Sequence, residues 1–227
     1  MSGNPVLLVH GFTTSAQRTW VEPGWVDLLR EAGREVIAPD LLGHGSAPKP
    51  HDTDAYAAVE ELVRAQLPEG QQVDAVGYSA GARIVMCLAS AEPERFGRIV
   101  VGGMGGRLFK EPDGNPILDA LEGRGDPDNL VNQHFKTMAE ENGNDPLALA
   151  AFLRRSAPEL GREQLGQITA PTLVIIGDKD FAGPGEPLAE AIPDAQLVTL
   201  KGIDHFGLPK AFAFVEQGLD HLGAAPF

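Results

Sequence analysis

The sequence has few of the features that mark disulfide-bonded, membrane-spanning or nucleic-acid-binding proteins. Cys87 is its only cysteine, so no disulfide can form within the chain, and the paired-cysteine spacing of metal and redox sites is absent. No apolar run approaches the ~20 residues that a helix needs to cross a bilayer. Lys and Arg number 18 against 32 Asp and Glu, and the net charge of −14 disfavours nucleic acid and anionic membrane surfaces as partners.

The amino terminus lacks the basic region and the extended apolar core of a secretion signal. Residues 1–5 lead directly into the short apolar segment Val6–Val9. We therefore expect a cytoplasmic protein. No phosphate-binding loop, dinucleotide-binding glycine pattern or cluster of metal ligands is present in the sequence, so neither a cofactor nor a metal is expected. The sequence holds no feature that specifies an oligomeric state.

What the chain does contain is a regular alternation of strand-like and helical segments. Six short aliphatic or β-branched segments have the near-continuous apolar character of parallel strands buried on both faces. They are Val6–Val9, Glu35–Ala38, Val73–Val76, Arg98–Val101, Leu173–Ile176 and Gln196–Leu200. Helical patterns separate them, and 227 residues are enough for one domain with a substantial core. The alternation predicts an α/β fold with a doubly wound, mostly parallel sheet.

The alternation is interrupted between the fourth and fifth predicted strands. Residues 107–167 contain no good strand and offer several short helical stretches, among them Asn129–Glu141 and Pro146–Arg155. We predict that this insertion forms a small helical lid over the carboxyl end of the sheet. The core would then comprise residues 1–106 and 168–227.

The most informative motif is a G-x-S-x-G run at Gly77–Gly81. It lies between an apolar strand-like segment and the helical segment Ala82–Ala91. A serine at such a strand-to-helix corner is held in a strained conformation with its hydroxyl pointing out of the sheet. Side chains two residues before or after it would collide with the tight turn, so Gly77 and Gly81 have a steric reason to be small. Ser79 is therefore a candidate nucleophile.

Four further motifs follow predicted strands in the same way. They are His10–Phe12, Pro39–Ser46, Gly177–Asp180 and Gly202–His205. Like Gly77–Gly81, each begins at the carboxyl end of a predicted strand. In these motifs and their order the chain resembles an α/β-hydrolase of the serine esterase type, over nearly all of its length. Compared with that family, the chain starts at what would be the third strand, so the usual first hairpin is missing, and the lid is short.

A serine hydroxyl needs an adjacent base to act as a nucleophile at neutral pH. Catalytic groups of the resembling family follow in the order serine, carboxylate, histidine, which makes His205, after the last strand, the base. In similar sequences the last position of Gly-x-x-Asp carries the carboxylate, which favours Asp180 over Asp178. His10 is expected to support the oxyanion loop by hydrogen bonding, and His44 to be structural.

Two backbone N–H groups must meet the oxyanion of a tetrahedral intermediate. Ala80, directly after the nucleophile, supplies one of them, and by resemblance Phe12 supplies the other. The apolar side chains near the catalytic loops are candidates for the substrate pocket. They are Phe12, Tyr78, Met104, Phe181, Phe206 and Leu208.

The leading hypothesis from the sequence is a carboxylesterase that cleaves small apolar esters through an acyl-enzyme intermediate. Ser79 would attack the ester carbonyl while His205 takes its proton and returns it to the leaving alcohol. A serine at the corner argues against a haloalkane dehalogenase, whose similar motif carries aspartate there.

Two alternatives keep the fold and change the function. The segment Gly77–Arg83 resembles the corresponding turn of the menaquinone-pathway synthase, a lyase in which a comparable arginine helps to bind a polyanionic substrate. Arg83 could play that part, and other lyases and carbon–carbon bond hydrolases use the same scaffold. Further positive charge could come from arginines in or near the lid, which are Arg107, Arg124, Arg154, Arg155 and Arg162. A non-catalytic ligand-binding member of the family is the third hypothesis.

Overall fold

One sheet of six parallel strands forms the centre of the fold in a computed structural model that describes residues 3–110, 115–126 and 128–225. The strands are β1 (Val6–Val9), β2 (Val36–Ile37), β3 (Val73–Tyr78), β4 (Phe96–Gly102), β5 (Thr172–Gly177) and β6 (Ala195–Leu200). Their order across the sheet is β2-β1-β3-β4-β5-β6, and every neighbouring pair is parallel. The predicted α/β fold with about six strands is confirmed.

Helices connect the strands as the sequence predicted. They are α1 (Trp25–Glu31), α2 (Val59–Arg64), α3 (Ala80–Ala91), α4 (Pro116–Leu121), α5 (Leu130–Glu141), α6 (Pro146–Arg154), α7 (Arg162–Leu165), α8 (Glu186–Ala189) and α9 (Phe212–His221). A short π-helix, Gln17–Val21, precedes α1. Among the residues described, no helix is long and apolar enough to cross a membrane.

Both faces of the sheet are covered, as a doubly wound fold requires. Alternate residues of β1 point to opposite faces, so that Leu7 and Val9 join one hydrophobic core while Val6 and Leu8 join the other. Helices α2 and α3 contribute to the first core, and α1 and α9 to the second. This two-sided burial accounts for the near-continuous apolar character of β1, β3 and β5. The edge strands β2 and β6 contain no fully buried residue, so the expectation of burial on both faces was wrong for them.

The insertion between β4 and β5 is helical, as predicted, and forms a small lid of α4 to α7. The side chains of Asn115, Asn129 and Asp145 accept hydrogen bonds from the first turns of α4, α5 and α6, so each helix start is capped. Helix α4 packs against both α5 and α6. The predicted range of the insertion, residues 107–167, includes residues 111–114 and 127, which lie outside the described part of the chain, and its exact limits stay a prediction.

Candidate active site

Ser79 lies at the sharp corner between β3 and α3, at the carboxyl edge of the sheet. Its backbone has φ +53° and ψ −116°, a conformation that residues with a side chain rarely adopt. Its N–H donates to the Gly102 carbonyl at 2.8 Å and its carbonyl accepts from the Arg83 N–H at 3.1 Å, which together hold the strained turn. The side chain is half-buried and therefore open to a small molecule.

The two motif glycines have the steric role that the sequence predicted. A Cβ added to Gly77 would lie 2.5 Å from the Ala82 Cα, and one added to Gly81 would lie 2.1 Å from the Val9 carbonyl oxygen. Both contacts are with backbone atoms, which cannot move aside without opening the turn. The predicted need for small residues on either side of the serine is confirmed.

A continuous hydrogen-bond chain connects Ser79 to the interior. Nε2 of His205 lies 3.0 Å from the Ser79 Oγ, and its Nδ1 lies 2.9 Å and 3.0 Å from the two carboxylate oxygens of Asp180. Because an ionised carboxylate only accepts, the ring proton belongs on Nδ1, which leaves Nε2 free to accept the serine proton. The three side chains come from the carboxyl ends of β3, β5 and β6, so the sheet brings together residues that are far apart in sequence.

Asp178 and Asp180 have different surroundings, although both follow β5. Asp180 is buried, and its Oδ1 also accepts from the Ala182 N–H at 2.8 Å, which fixes the carboxylate toward His205. Asp178 is exposed and accepts from the Gly202 N–H at 2.7 Å. This geometry agrees with the choice of Asp180 as the orienting carboxylate and makes Asp178 a turn residue.

Tyr78 is largely buried and packs against the histidine. Its ring centroid lies 5.2 Å from that of His205, and its hydroxyl donates to the His205 carbonyl at 2.7 Å. Burial is the main cause that raises the pKa of Tyr78 well above its usual value, so this hydroxyl keeps its proton. The sequence placed Tyr78 among the substrate-pocket candidates, and the structure shows in addition that it supports the histidine loop.

The loop after β1 lies directly beside the serine. A Cβ added to Gly11 would lie 3.3 Å from the Ser79 Cβ. Among the described residues, the backbone N–H groups of Phe12 and Ala80 donate to no other protein group, which leaves both free for an oxyanion. The Phe12 N–H lies on the loop after β1 and the Ala80 N–H lies at the first residue of α3, directly after Ser79, and their role as oxyanion donors stays a prediction.

His10 holds this loop in the way the sequence predicted. Its Nδ1 donates to the Gly11 carbonyl at 2.8 Å, while its Nε2 accepts from the Leu41 N–H at 3.0 Å. Complete burial lowers the pKa of His10, so the ring is neutral, as an acceptor nitrogen requires. Asp40, on the neighbouring loop, accepts from the Ala16 and Ser46 N–H groups at 2.8 Å and 2.7 Å and ties the same region together.

Thr13 is the second strained residue next to the site. With φ +62° it is, besides Ser79, the only residue other than glycine with a positive φ in the described part of the chain. A β-branched residue in this region costs on the order of 1–3 kcal/mol and persists only when its surroundings hold it. The two strained residues lie on the two loops that carry the candidate oxyanion donors.

Aromatic side chains cover the site from the lid side. Phe135 of α5 is buried and lies 6.0 Å from Phe12, 6.0 Å from Phe181 and 5.2 Å from Phe206, measured between ring centroids. The Phe181 ring also lies 4.3 Å from the His205 ring. The sequence had no signal for Phe135, because one aromatic residue on a lid helix does not show which loops it will contact.

The remaining pocket candidates have less direct positions. Met104 is half-buried and packs against the core that contains the lid residues, whereas Leu208 is fully buried in the opposite core. A cavity of about 220 Å³ lies beside the site, between the lid, the loop after β1 and the histidine loop. Its lining includes Tyr78, Phe206, Arg18, His134 and Lys210.

Five of the six arginines that the lyase hypothesis invoked, all except Arg107, have side-chain contacts within the described part of the protein. Arg83 donates to the Pro158 carbonyl, which ties α3 to the segment after α6. The buried side chain of Arg155 lies 3.5 Å from Glu60. Arg124 and Arg154 both pair with Glu122, and the guanidinium of Arg162 lies 4.6 Å from the ring centroid of Phe109. These contacts favour a structural role for Arg83 and most of the lid arginines.

Comparison with known proteins agrees with the geometry. A sequence profile of the alpha/beta hydrolase family matches residues 6–217, which is most of the chain. The chain belongs to the alpha/beta hydrolase family. Among solved structures, the bromoperoxidase from Bacillus anthracis is similar, with 26% identity and a TM-score of 0.72 over 98% of this chain and 92% of that one.

Two proteins that are similar in sequence to this chain have names that state their substrates. One is the 2-hydroxy-6-oxo-2,4-heptadienoate hydrolase of Pseudomonas putida, 36% identical over an alignment of 130 positions that covers 54% of this chain and 44% of that protein. The other is the 2-hydroxymuconate semialdehyde hydrolase of a Pseudomonas species, 34% identical over an alignment of 133 positions that covers 54% of this chain and 43% of that protein. The match therefore spans less than half the length of these curated relatives.

Proposed function

We propose that this hydrolase cleaves a carbon–carbon bond next to a ketone in a 2-hydroxy-6-oxo-dienoate, with Ser79, His205 and Asp180 as its catalytic groups. The observation that carries the proposal is the hydrogen-bond chain from Asp180 through His205 to the strained Ser79. The substrate class comes from the similarity to the two Pseudomonas hydrolases. Of the hypotheses drawn from the sequence, this similarity favours the carbon–carbon hydrolase over the carboxylesterase.

The chemistry needs a carbon that can leave with an electron pair. In the keto form of a 2-hydroxy-6-oxo-dienoate, the bond between C5 and C6 breaks so that the electron pair passes along the conjugated chain to the oxygen on C2. Attack on the C6 carbonyl gives an oxyanion, which the Phe12 and Ala80 N–H groups would hold. For 2-hydroxy-6-oxo-2,4-heptadienoate plus water, the balanced products are acetate and 2-hydroxypenta-2,4-dienoate.

His205 would move protons at two stages. It would accept the proton of Ser79 as the bond to C6 forms and give it to the departing dienolate. It would then accept a proton from the water that attacks the acyl group and return that proton to Ser79 as the acid is released. The buried Asp180 would hold the ring in the required tautomer and stabilise its positive charge.

Since a dienoate carries a carboxylate, Arg18 and Lys210 of the 220 Å³ cavity are the candidates to attract it. Arg18 also pairs with Glu22, and Glu141 lines the same cavity.

A second candidate function is ester hydrolysis by the same groups. The observation that favours it is the aromatic cluster of Phe12, Phe135, Phe181 and Phe206, in which the Phe181 ring lies 4.3 Å from the His205 ring. An apolar acyl group would suit this cluster without needing a cationic partner.

A comparison of two substrates tests the proposal. We expect kcat/KM for 2-hydroxy-6-oxo-2,4-heptadienoate to exceed that for p-nitrophenyl acetate, butyrate and octanoate, and all activity to vanish in Ser79→Ala. Ester hydrolysis that depends on Ser79, without turnover of the dienoate, would replace the proposal by the esterase. Activity that Ser79→Ala leaves unchanged would contradict both.

A further inference from the structure

The lid reaches the oxyanion loop through two asparagines that lie between α5 and α6. The Nδ2 group of Asn144 donates to the Thr13 carbonyl at 2.9 Å, and that of Asn142 donates to the same carbonyl at 2.8 Å. Both of its acceptor positions are therefore occupied by groups from the lid, about 130 residues further along the chain.

Asn144 also holds a second loop of the core, the one that follows β2. Its Oδ1 accepts from the Gly45 N–H at 3.1 Å, while its Nδ2 donates to Thr13. The chemistry of these two partners fixes the orientation of the amide, because an N–H needs an oxygen and a carbonyl needs an N–H. Asn144 is only 7% exposed, so water competes little for these hydrogen bonds.

The acceptor of these bonds is a strained residue next to a candidate oxyanion donor. Thr13 has φ +62°, and its Oγ1 donates to the Phe12 carbonyl at 2.7 Å. Without the two asparagines, no described residue of the lid would hold the Thr13 carbonyl, and relaxation of the Thr13 φ would rotate the adjoining peptide units. The Phe12 N–H lies one residue away and would lose its fixed direction.

We propose that Asn142 and Asn144 are positioning residues that set the oxyanion hole by holding Thr13 in its left-handed conformation. This inference rests on the proposed function, in which the Phe12 N–H stabilises the oxyanion. It adds that the hole is complete only while the loop between α5 and α6 is docked on the core. The lid then contributes to the chemical step as well as to the shape of the pocket.

Phosphonylation of Ser79 measures the oxyanion hole without knowledge of the natural substrate. An alkyl fluorophosphonate reacts when the Ser79 Oγ displaces fluoride from phosphorus and His205 takes the hydroxyl proton, with the phosphoryl oxygen in the oxyanion position. The rate constant is read from the mass of the intact protein. We expect Asn144→Ala to lower this rate at least about tenfold, since complete loss of one oxyanion donor costs on the order of 10²–10³-fold.

Asn144→Asp separates positioning from support of the fold. It keeps the oxygen that accepts from Gly45 but puts an acceptor in place of the donor to Thr13. A merely structural role through Gly45 predicts a normal phosphonylation rate, whereas the proposal predicts a loss similar to that of Asn144→Ala. With p-nitrophenyl acetate the loss should fall on kcat, with KM little changed.

Two further variants keep the test decisive. Asn129→Ala is the matched control, because Asn129 caps α5 on the same lid and has no contact with Thr13. It should lower thermal stability and leave the rate unchanged. If Asn144→Ala does not fold, Asn142→Ala, which removes one of the two donors at a half-buried position, should still slow phosphonylation several-fold.

The outcomes distinguish this inference from the proposed function. No labelling of folded wild-type protein at Ser79 would overturn the nucleophile and with it the proposed function. Labelling of the wild type, with equal rates in Asn142→Ala, Asn144→Ala and Asn144→Asp, would overturn the positioning role and leave the proposed function standing.

Discussion

The hydroxyl of Tyr78 donates a hydrogen bond of 2.7 Å to the backbone carbonyl of His205, a residue 127 positions further along the chain. One residue thus connects the turn that carries Ser79 with the loop that carries its base. The ring of Tyr78 also packs against the His205 ring, with 5.2 Å between centroids. The distance between nucleophile and base therefore depends on a side chain that takes no part in proton transfer.

Tyr78→Phe tests this connection. The variant leaves the His205 carbonyl with only the longer 3.4 Å bond from the Leu208 N–H, and the loss of one such hydrogen bond costs about 0.5–1.5 kcal/mol. We expect a loss of thermal stability together with a clear fall in kcat, measured with p-nitrophenyl acetate.

Tyr56→Phe is the control for Tyr78→Phe. The Tyr56 hydroxyl donates to the Pro50 carbonyl, also at 2.7 Å, and this residue has no contact with the catalytic groups. The Tyr56→Phe variant should lose about as much thermal stability as Tyr78→Phe and keep the kcat of the wild type. Equal kcat values for the two variants would show that the Tyr78 bond supports the fold alone.

Replacing one aspartate at a time by asparagine tests which carboxylate orients His205. Asp180→Asn removes the charge that holds the His205 tautomer, so kcat should fall by about 10³–10⁴-fold. Asp178→Asn changes an exposed turn residue and should keep most of the activity. Steady-state kinetics on one substrate measures both variants, and the reverse pattern would make Asp178 the orienting acid.

Much of the fold and of the core of the site could be predicted from the sequence, because those features are local. The strands are short apolar runs, and the motif residues follow them directly, so a parallel sheet brings Ser79, Asp180 and His205 to one edge. The strain at Ser79 and the steric need for Gly81 follow from the turn itself.

The contacts of the lid could not be predicted, because they depend on how separate parts of the chain dock. Asn142 and Asn144 look like ordinary loop residues in the sequence, yet they bind a carbonyl about 130 positions earlier. Phe135 likewise lies on an amphipathic helix with no mark of its partners. The ion pairs of the lid arginines depend on the same docking.

The buried histidines predict a loss of stability in acid. Burial lowers the pKa of His44 to about 3, whereas an unfolded histidine titrates near 6.5. Between these values the unfolded state binds a proton that the native state does not, so the free energy of unfolding falls as the pH falls. The slope is about 1.4 kcal/mol per pH unit for each such group.

His44→Gln should remove the contribution of one titrating group to the pH dependence of the free energy of unfolding. Denaturant unfolding between pH 5.5 and 4 should show a slope about 1.4 kcal/mol per pH unit smaller than that of the wild type. Above pH 7.5 the slopes of the two proteins should agree, because His44 is neutral there in both states. An unchanged slope in acid would mean that His44 is protonated in the native state.

Phe135→Ala tests the aromatic cover of the site. Truncation of this buried ring leaves a void between Phe12, Phe181 and Phe206, so longer acyl chains should fit better and the ratio of kcat/KM for p-nitrophenyl octanoate to acetate should rise. Stability should fall by about 3–5 kcal/mol. Leu130→Ala, on the same helix with 82% of its surface exposed, should change neither quantity much. A lower stability with an unchanged ratio would place the ring outside the pocket.

The cleavage of a carbon–carbon bond by Ser79 is tested most directly by identifying the products formed in water enriched in ¹⁸O. Wild-type protein and Ser79→Ala would each be incubated with 2-hydroxy-6-oxo-2,4-heptadienoate, and the acetate formed would be analysed by mass spectrometry. If Ser79 cleaves the carbon–carbon bond, the wild type alone should give acetate with an oxygen taken from water, together with an equal amount of 2-hydroxypenta-2,4-dienoate. No acetate from the folded wild type, or equal amounts from both proteins, would contradict this role of Ser79.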